Sequence, residues 1–283
     1  MGGVHAPFVV VTDLDGTLLD RETYSFEAAR PALEKLAALG VPVVLSSSKT
    51  AAEQFELRRS LGAEGPFIVE NGSAVFAPEG CFLPGPWQGE AEPQPGYWLR
   101  RFGGDRRAIL ELIRRLRRER DLPFESFADW PPEELARRTG LEPDEARHAN
   151  DRCCSEPLEW RGTDGELDWF RQRLEAQGLR LVKGGRFWAV MGRCDKRDGL
   201  LWLRDRYAET WGRAVRTVAF GDSHNDRGML AAADIAVVVR SPDSDSIQLP
   251  GHPRVVRTDL PGPAGWRHAV DALLPEIAGG KEV

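Results

Sequence analysis

Two apolar runs of the chain stop abruptly in clusters of oxygen ligands, and this constrains the fold more than any bulk property. Residues 8–12 meet Asp13-Leu14-Asp15-Gly16-Thr17, and residues 215–220 meet Gly221-Asp222-Ser223-His224-Asn225-Asp226. An unbroken apolar run of this length reads as a strand buried on both faces, as in a parallel sheet covered by helices. Ligands bind beyond the carboxyl ends of such strands, which is where both clusters fall. The segments between them fit the same plan. Apolar residues recur at helical spacing over 26–39 and stop at Gly40, and 41–45 reads as a second strand. Thr50-Ala51-Ala52-Glu53 is a capping box opening a helix that ends at Gly62, and 67–69 reads as a third strand.

The alternation breaks over 80–96, a Pro- and Gly-rich stretch that predicts a crossing between domains. Beyond it the pattern predicts a strand over 97–102, a helix over 105–119, helices near 132–139 and 143–149, a strand over 153–160 and a helix over 164–177. Strands over 179–183 and 186–191 follow, joined by Gly184-Gly185 as a hairpin. Helix 197–211, strand 215–220, helix 224–232, strands 235–239 and 254–257 and helix 264–277 then restore the alternation. The expected architecture is a Rossmann-like α/β domain with a parallel sheet, formed by 1–82 and 191–283 and interrupted by an α+β insertion over 83–190.

With 283 residues, 41% of them hydrophobic, the chain can fill a substantial core. A net charge of -6 gives no general attraction for nucleic acid or anionic lipid. Cys81, Cys153, Cys154 and Cys194 lack the spacing of a zinc site or a disulfide framework. No basic segment followed by an apolar stretch opens the chain and no run approaches a membrane span, so a cytoplasmic protein is expected. Three asparagines and twenty prolines suit a heat-adapted protein.

Asp13 and Asp15 stand one residue apart, so in extended chain both side chains point the same way, and Gly16 lets the chain turn off afterwards. Two close carboxylates repel and need a cation, a shared proton or different roles. An Asx-turn with a helix cap is the plainer reading of the same residues. Phosphoryl transfer would use both groups, one attacking phosphorus while the other, protonated, donates to the leaving oxygen. Ser46-Ser47-Ser48-Lys49 offers hydroxyls and amides near a helix N-terminus, suited to phosphate oxygens or to capping alone. Lys196, one of five lysines, opens the helix after the insertion and would serve a phosphate or simply face solvent. The cluster around Asp222 and Asp226 is rich in hard oxygen ligands, which select Mg²⁺ over a transition metal, and His224 is expected not to ligate.

Taken in order, "DLDGT", a serine after the second strand, a downstream lysine and "GDSHND" resemble the haloacid dehalogenase superfamily of phosphatases. The resemblance implies Asp13 as nucleophile and Asp15 as general acid, then base. It implies Ser47, Ser48, Lys196 and Asn225 at the phosphate, with Asn225 also orienting a Mg²⁺ held by Asp13, the Asp15 carbonyl, Asp222 and Asp226. Asn71-Gly72 in "VENGS" is similar to a turn of the branch whose cap is inserted between the second and third motifs, where 83–190 lies. More narrowly, "LSSSKTAAE", "VENGS", "GGRFWAV", "GDSHND" and "LPGPAGWR" resemble the family of mannosyl-3-phosphoglycerate phosphatases over nearly the whole chain. Ser48-Lys49 stands where many sugar phosphatases carry Gly-Arg, a departure from the superfamily that agrees with the narrower family.

The reaction so implied converts mannosyl-3-phosphoglycerate to mannosylglycerate, a compatible solute, plus phosphate. A glucosyl-3-phosphoglycerate or other phosphosugar substrate, or a sugar phosphomutase, remains an alternative. The expected partner is a phosphorylated glycosyl-glycerate rather than nucleic acid or membrane, and the sequence leaves the oligomeric state unread. Such a substrate calls for cationic forks and backbone donors. The candidates are Lys183, Gly184, Gly185 and Arg186 in the hairpin, with Arg161 in "EWRG".

Overall fold

The computed structural model describes residues 7–279. The chain begins with β1 (Phe8–Thr12), α1 (Arg30–Ala38), β2 (Val43–Ser46), α2 (Ala51–Leu61), β3 (Phe67–Val69) and β4 (Ala74–Pro78). β5 (Glu92–Gln94), β6 (Tyr97–Arg101), α3 (Arg106–Arg120), β7 (Phe124–Ser126), α4 (Pro132–Thr139) and α5 (Pro143–Asn150) follow. Next come β8 (Ser155–Trp160), α6 (Asp164–Glu175), β9 (Leu179–Lys183), β10 (Trp188–Gly192) and α7 (Lys196–Trp211). The chain closes with β11 (Arg216–Gly221), α8 (Arg227–Ala232), β12 (Ile235–Arg240), β13 (Val255–Pro261) and α9 (Ala264–Gly279).

Every residue of β1 is buried because successive side chains feed two different cores. Phe8 and Val10 pack on one face of the sheet with Trp266 and Leu36, and Val9 and Val11 pack on the other with Leu200, Leu203 and Met229. Burying each such side chain is worth roughly 1.5–3 kcal/mol, so both faces of this strand must be apolar. The sheet around it has nine strands in the order β13-β12-β11-β1-β2-β3-β4-β6-β5. The strands from β13 to β3 are parallel and the remaining pairings antiparallel. The order of strands reverses at β1, where connections leave in opposite directions and open a crevice at the carboxyl ends. Thr12 sits level with Phe220 of β11 and with Leu45 of β2, so Asp13, Gly221 and Ser46 come level at the carboxyl edge of the sheet.

The α/β class and the parallel core are as the sequence leads one to expect, with local differences that have physical causes. α1 starts at Arg30 rather than at residue 26, because a proline follows directly and fits only the first turn of a helix. β6 belongs to the large sheet, antiparallel to β4, although its sequence falls within the stretch expected to be inserted. The Pro- and Gly-rich stretch before it also holds the short edge strand β5. A separate antiparallel sheet, ordered β7-β8-β10-β9, follows. Ile109, Ile113 and Leu116 of α3 and Phe170 and Leu174 of α6 pack with Leu158 and Val190 of that sheet as a second core. The hairpin expected at Gly184-Gly185 is present, with β9 and β10 paired from Lys183 opposite Trp188.

Candidate active site

Asp13 leaves β1 with its backbone N–H donating to Phe220 O at 2.9 Å, so its carboxylate is fixed relative to β11. Gly16, at φ +86°, then turns the chain under Asp222, and a Cβ there would lie 2.8 Å from Asp222 Oδ2. Asp222 accepts from Thr17 Oγ1 at 3.3 Å and from Arg21 at 2.8 Å. Asp226 Oδ2 accepts the backbone N–H groups of Asp222 and Ser223, both at 3.1 Å, which closes the loop after β11. Ligand oxygens of Asp13, Asp222 and Asp226, all buried, lie within 4.8 Å of one another.

One cation is buried within this cluster. Lys196 is fully buried, bonds Asp13, and donates to Asp226 Oδ1 at 2.7 Å. Burial opposes its charge, but Asp13 and Asp226 outweigh that and hold its pKa above the ordinary lysine value. Burial, joined by the charge of Asp226, pushes Asp13 up to about 7 against the pull of Lys196. Burial and Asp226 likewise raise Asp222, with Arg21 opposing. Three buried carboxylates against one buried ammonium leave an excess of negative charge that burial penalises. The donor set is all oxygen, which fits a hard divalent cation in their midst.

Asp15 stands apart from the cluster. Its Oδ2 pairs with Lys49 Nζ at 3.0 Å, while its Oδ1 is buried with no hydrogen-bond partner among the described residues. Ser47 is buried at the end of β2, its N–H donating to Ile68 O at 3.2 Å and its Oγ accepting from Lys49 N at 3.2 Å. Ser48 is exposed, and its carbonyl accepts from Arg152 at 3.0 Å. Asn225 donates to Asn71 Oδ1 at 3.1 Å. Asn71 sits in a turn where Glu70, Asn71 and Gly72 have φ of +49°, +57° and +89°. Gly72 is obligatory there, because a Cβ would lie 2.0 Å from Asp195 O. The turn thereby meets both the loop after β11 and the chain entering Lys196.

A cleft of about 680 Å³ opens beside these tips, between the large sheet's loops and the second sheet. Ser48, Lys49, Asn71 and Asn225 line it on one side, and Lys183, Gly184, Gly185, Arg186 and Trp188 on the other. Its volume is in the range of small-molecule sites. Arg186 donates to the Arg138 carbonyl, and Lys183 lies 5.4 Å from the centre of the Trp188 ring. Arg161 is turned elsewhere, bonded to Glu125 at 2.8 Å and Glu159 at 2.6 Å, which absorb its charge. Trp160 stacks on Phe124 and Phe170 in the core of the second sheet. His224 pairs with Ser246 at 2.9 Å rather than joining the carboxylates.

Several residues important to this geometry escape a reading of the sequence. Arg21 on Asp222 carried no signal beyond a charge near a motif, and Lys49, read within the Ser46–Lys49 stretch, gave no sign of its pairing with Asp15. Glu70, buried, accepts from Cys153 N at 2.6 Å, Cys154 N at 3.1 Å and Ser155 Oγ at 2.6 Å. Burial works against its charge, but Arg152 and these donors win and hold its carboxyl below the ordinary value.

Residues 10–81 match the family model for haloacid dehalogenase-like hydrolases. A relative from Persephonella marina, named glucosyl-3-phosphoglycerate/mannosyl-3-phosphoglycerate phosphatase, is 34% identical over 278 residues, covering 96% of this chain and 99% of that protein. The chain belongs to the haloacid dehalogenase-like hydrolases. With a phosphatase as a relative over nearly its whole length, this hydrolase is a phosphoric monoester hydrolase. Solved structures share the fold of the hydrolase at low identity. A Bacteroides thetaiotaomicron phosphatase of the haloalkanoate enzyme superfamily is 21% identical with a TM-score of 0.63, over 99% of this chain and 98% of that one. A Thermotoga maritima protein is 20% identical with a TM-score of 0.62, over 93% and 96%. No helix among the described residues is long and apolar enough to cross a membrane.

Proposed function

We propose that this hydrolase removes phosphate from mannosyl-3-phosphoglycerate, and from the glucosyl compound as a second substrate, through an aspartyl-phosphate on Asp13. The observation that carries the reading is the meeting of Asp13, Asp222, Asp226 and Lys196 at one buried point. The double substrate named for the Persephonella marina relative supports the choice of ester. In this reading the part of 83–190 that follows β6, with the second sheet, supplies the cap, and Lys183, Gly184, Gly185 and Arg186 meet the glycosyl-glycerate. Arg161, engaged with Glu125 and Glu159, has no part in it.

Asp13, Asp222, Asp226 and the Asp15 carbonyl would hold Mg²⁺, which would neutralise the crowded carboxylates and the substrate phosphate. Lys196 holds Asp13 in place from within the core. Ser47, Ser48, Lys196 and Asn225 bind the phosphoryl oxygens. Asp13 attacks phosphorus while Asp15, carrying a proton, gives it to the departing ester oxygen. Asp15 then takes a proton from the water that attacks the phospho-aspartate, which frees phosphate and restores Asp13. The second sheet would close over the cleft and limit access of bulk water.

A phosphate-release assay over glycosyl-3-phosphoglycerates, 3-phosphoglycerate and hexose phosphates tests the reading. It should show the glycosylated esters turned over fastest, with a chelator stopping release and Mg²⁺ restoring it. Transfer of the phosphoryl group to a second sugar hydroxyl, with no free phosphate, would instead identify a mutase.

A further inference from the structure

The loop after "DLDGT" contains an exposed aromatic residue in a conformation that suits glycine. Tyr24 has φ +56° and is 57% exposed, so its ring adds nothing to the core while its backbone is strained. Such a residue persists only where its surroundings fix it, and here they do. Tyr24 N donates to Asp20 O at 3.0 Å, and Asp20 N donates to Ser25 O at 2.9 Å. Asp20 Oδ1 accepts from Glu22 N and Thr23 N at 3.1 and 2.9 Å. The loop is also tied to the carboxylates at two places, through Arg21 on Asp222 and through Lys49, whose Nζ lies 5.3 Å from the centre of the Tyr24 ring and 3.0 Å from Asp15. Strained residues held in this way gather at functional sites.

We propose that Tyr24 and Lys49 form the core-side half of the leaving-group subsite, Lys49 taking the glycerate carboxylate and Tyr24 packing its ring on the sugar. The proposal rests on the glycosyl-phosphoglycerate reading above. Asp15 delivers a proton to the ester oxygen, and the sugar and carboxylate stand on the next carbons along the glycerate. An ammonium beside Asp15, at the wall of the cleft, is therefore close to where that carboxylate must lie. The aromatic ring flanking the ammonium offers a face to the C–H side of a pyranose. Without substrate, Asp15 occupies Lys49; with substrate, the flexible stem of Lys49 lets the ammonium reach a second anion.

Steady-state kinetics with three esters tests the pair: mannosyl-3-phosphoglycerate, 3-phosphoglycerate, which lacks the sugar, and p-nitrophenyl phosphate, which lacks both sugar and carboxylate. Tyr24→Gly is expected to raise KM about tenfold for the glycosylated ester alone, and to raise Tm because glycine relaxes the backbone. Lys49→Met is expected to raise KM about tenfold for both glycerates while KM for p-nitrophenyl phosphate holds, whatever common loss of kcat comes through Asp15. Equal KM changes on all three esters, or a fall in Tm for Tyr24→Gly, would overturn the subsite alone. Turnover of p-nitrophenyl phosphate but not of the glycosylated ester by the unaltered enzyme would overturn the substrate reading and the subsite with it.

Discussion

The two walls of the cleft are built on opposite principles. On the sheet side, Asp13, Asp222 and Asp226 end buried strands or the loops that follow them, and each is held by backbone donors or by a buried partner. On the other side, Lys183, Gly184, Gly185 and Arg186 form the exposed turn of a hairpin. The first side buries like charge behind the residues that line the cleft, where water is excluded, and keeps it in place by packing. The second presents charge to solvent at the tip of two strands. Chemistry on phosphorus requires fixed reacting groups, whereas recognition of a leaving group tolerates adjustment. A substitution on the sheet side is therefore expected to cost rate, and one in the hairpin to cost affinity.

Three substitutions sharpen that contrast. Asp13→Asn should lower kcat by at least about 10³-fold, since an amide is a poor nucleophile. Because burial and Asp226 already penalise the Asp13 charge, the same variant, free of metal, should melt no lower than the parent. Stopped assays and a thermal melt check both halves, and a normal rate would put the nucleophile elsewhere.

Glu70→Gln cuts the tie between the two walls, because Glu70 gathers Cys153, Cys154, Ser155 and Arg152 from the second-sheet side onto a turn of the large sheet. It should cost about 1–3 kcal/mol of stability at neutral pH. The folded-state pKa lies below the ordinary 4.5, so the carboxylate's contribution is full above that value and fades as pH falls through the depressed one. Urea unfolding of parent and variant should therefore differ at pH 7 and converge in acid, and a gap independent of pH would refute the assignment.

Arg186→Ala should have the smallest effect: KM for the glycosylated ester up about tenfold, KM for p-nitrophenyl phosphate little changed, and stability within about 0.5 kcal/mol of the parent. A loss of kcat on both esters would erase the distinction between the walls.

What the sequence made legible follows the same division. Strand ends that carry carboxylates are local patterns, so β1 and β11, their tips, and the capping box at Thr50 were readable in order. β4 and β5 were not, because one lies just past a left-handed turn and the other within a Pro- and Gly-rich stretch, and neither shows periodicity. Without β4 there was no partner to assign to β6, so its place in the large sheet was hidden. Arg161 and Lys49 show the limit for single charges. Both sit near suggestive motifs, yet Arg161 is absorbed by two glutamates while Lys49 reaches Asp15, and only the folded chain decides which. The buried tie at Glu70 joins residues more than eighty positions apart and leaves no trace in local spacing.

In the proposed reaction Asp13 carries the phosphoryl group between substrate and water. Acid quenching during turnover with Mg²⁺, reduction of any acyl phosphate with borohydride, and peptide mass spectrometry would read it directly. Homoserine is expected at position 13 only when substrate is present. Sustained turnover with position 13 unaltered, or with the reduced residue found elsewhere, would contradict it.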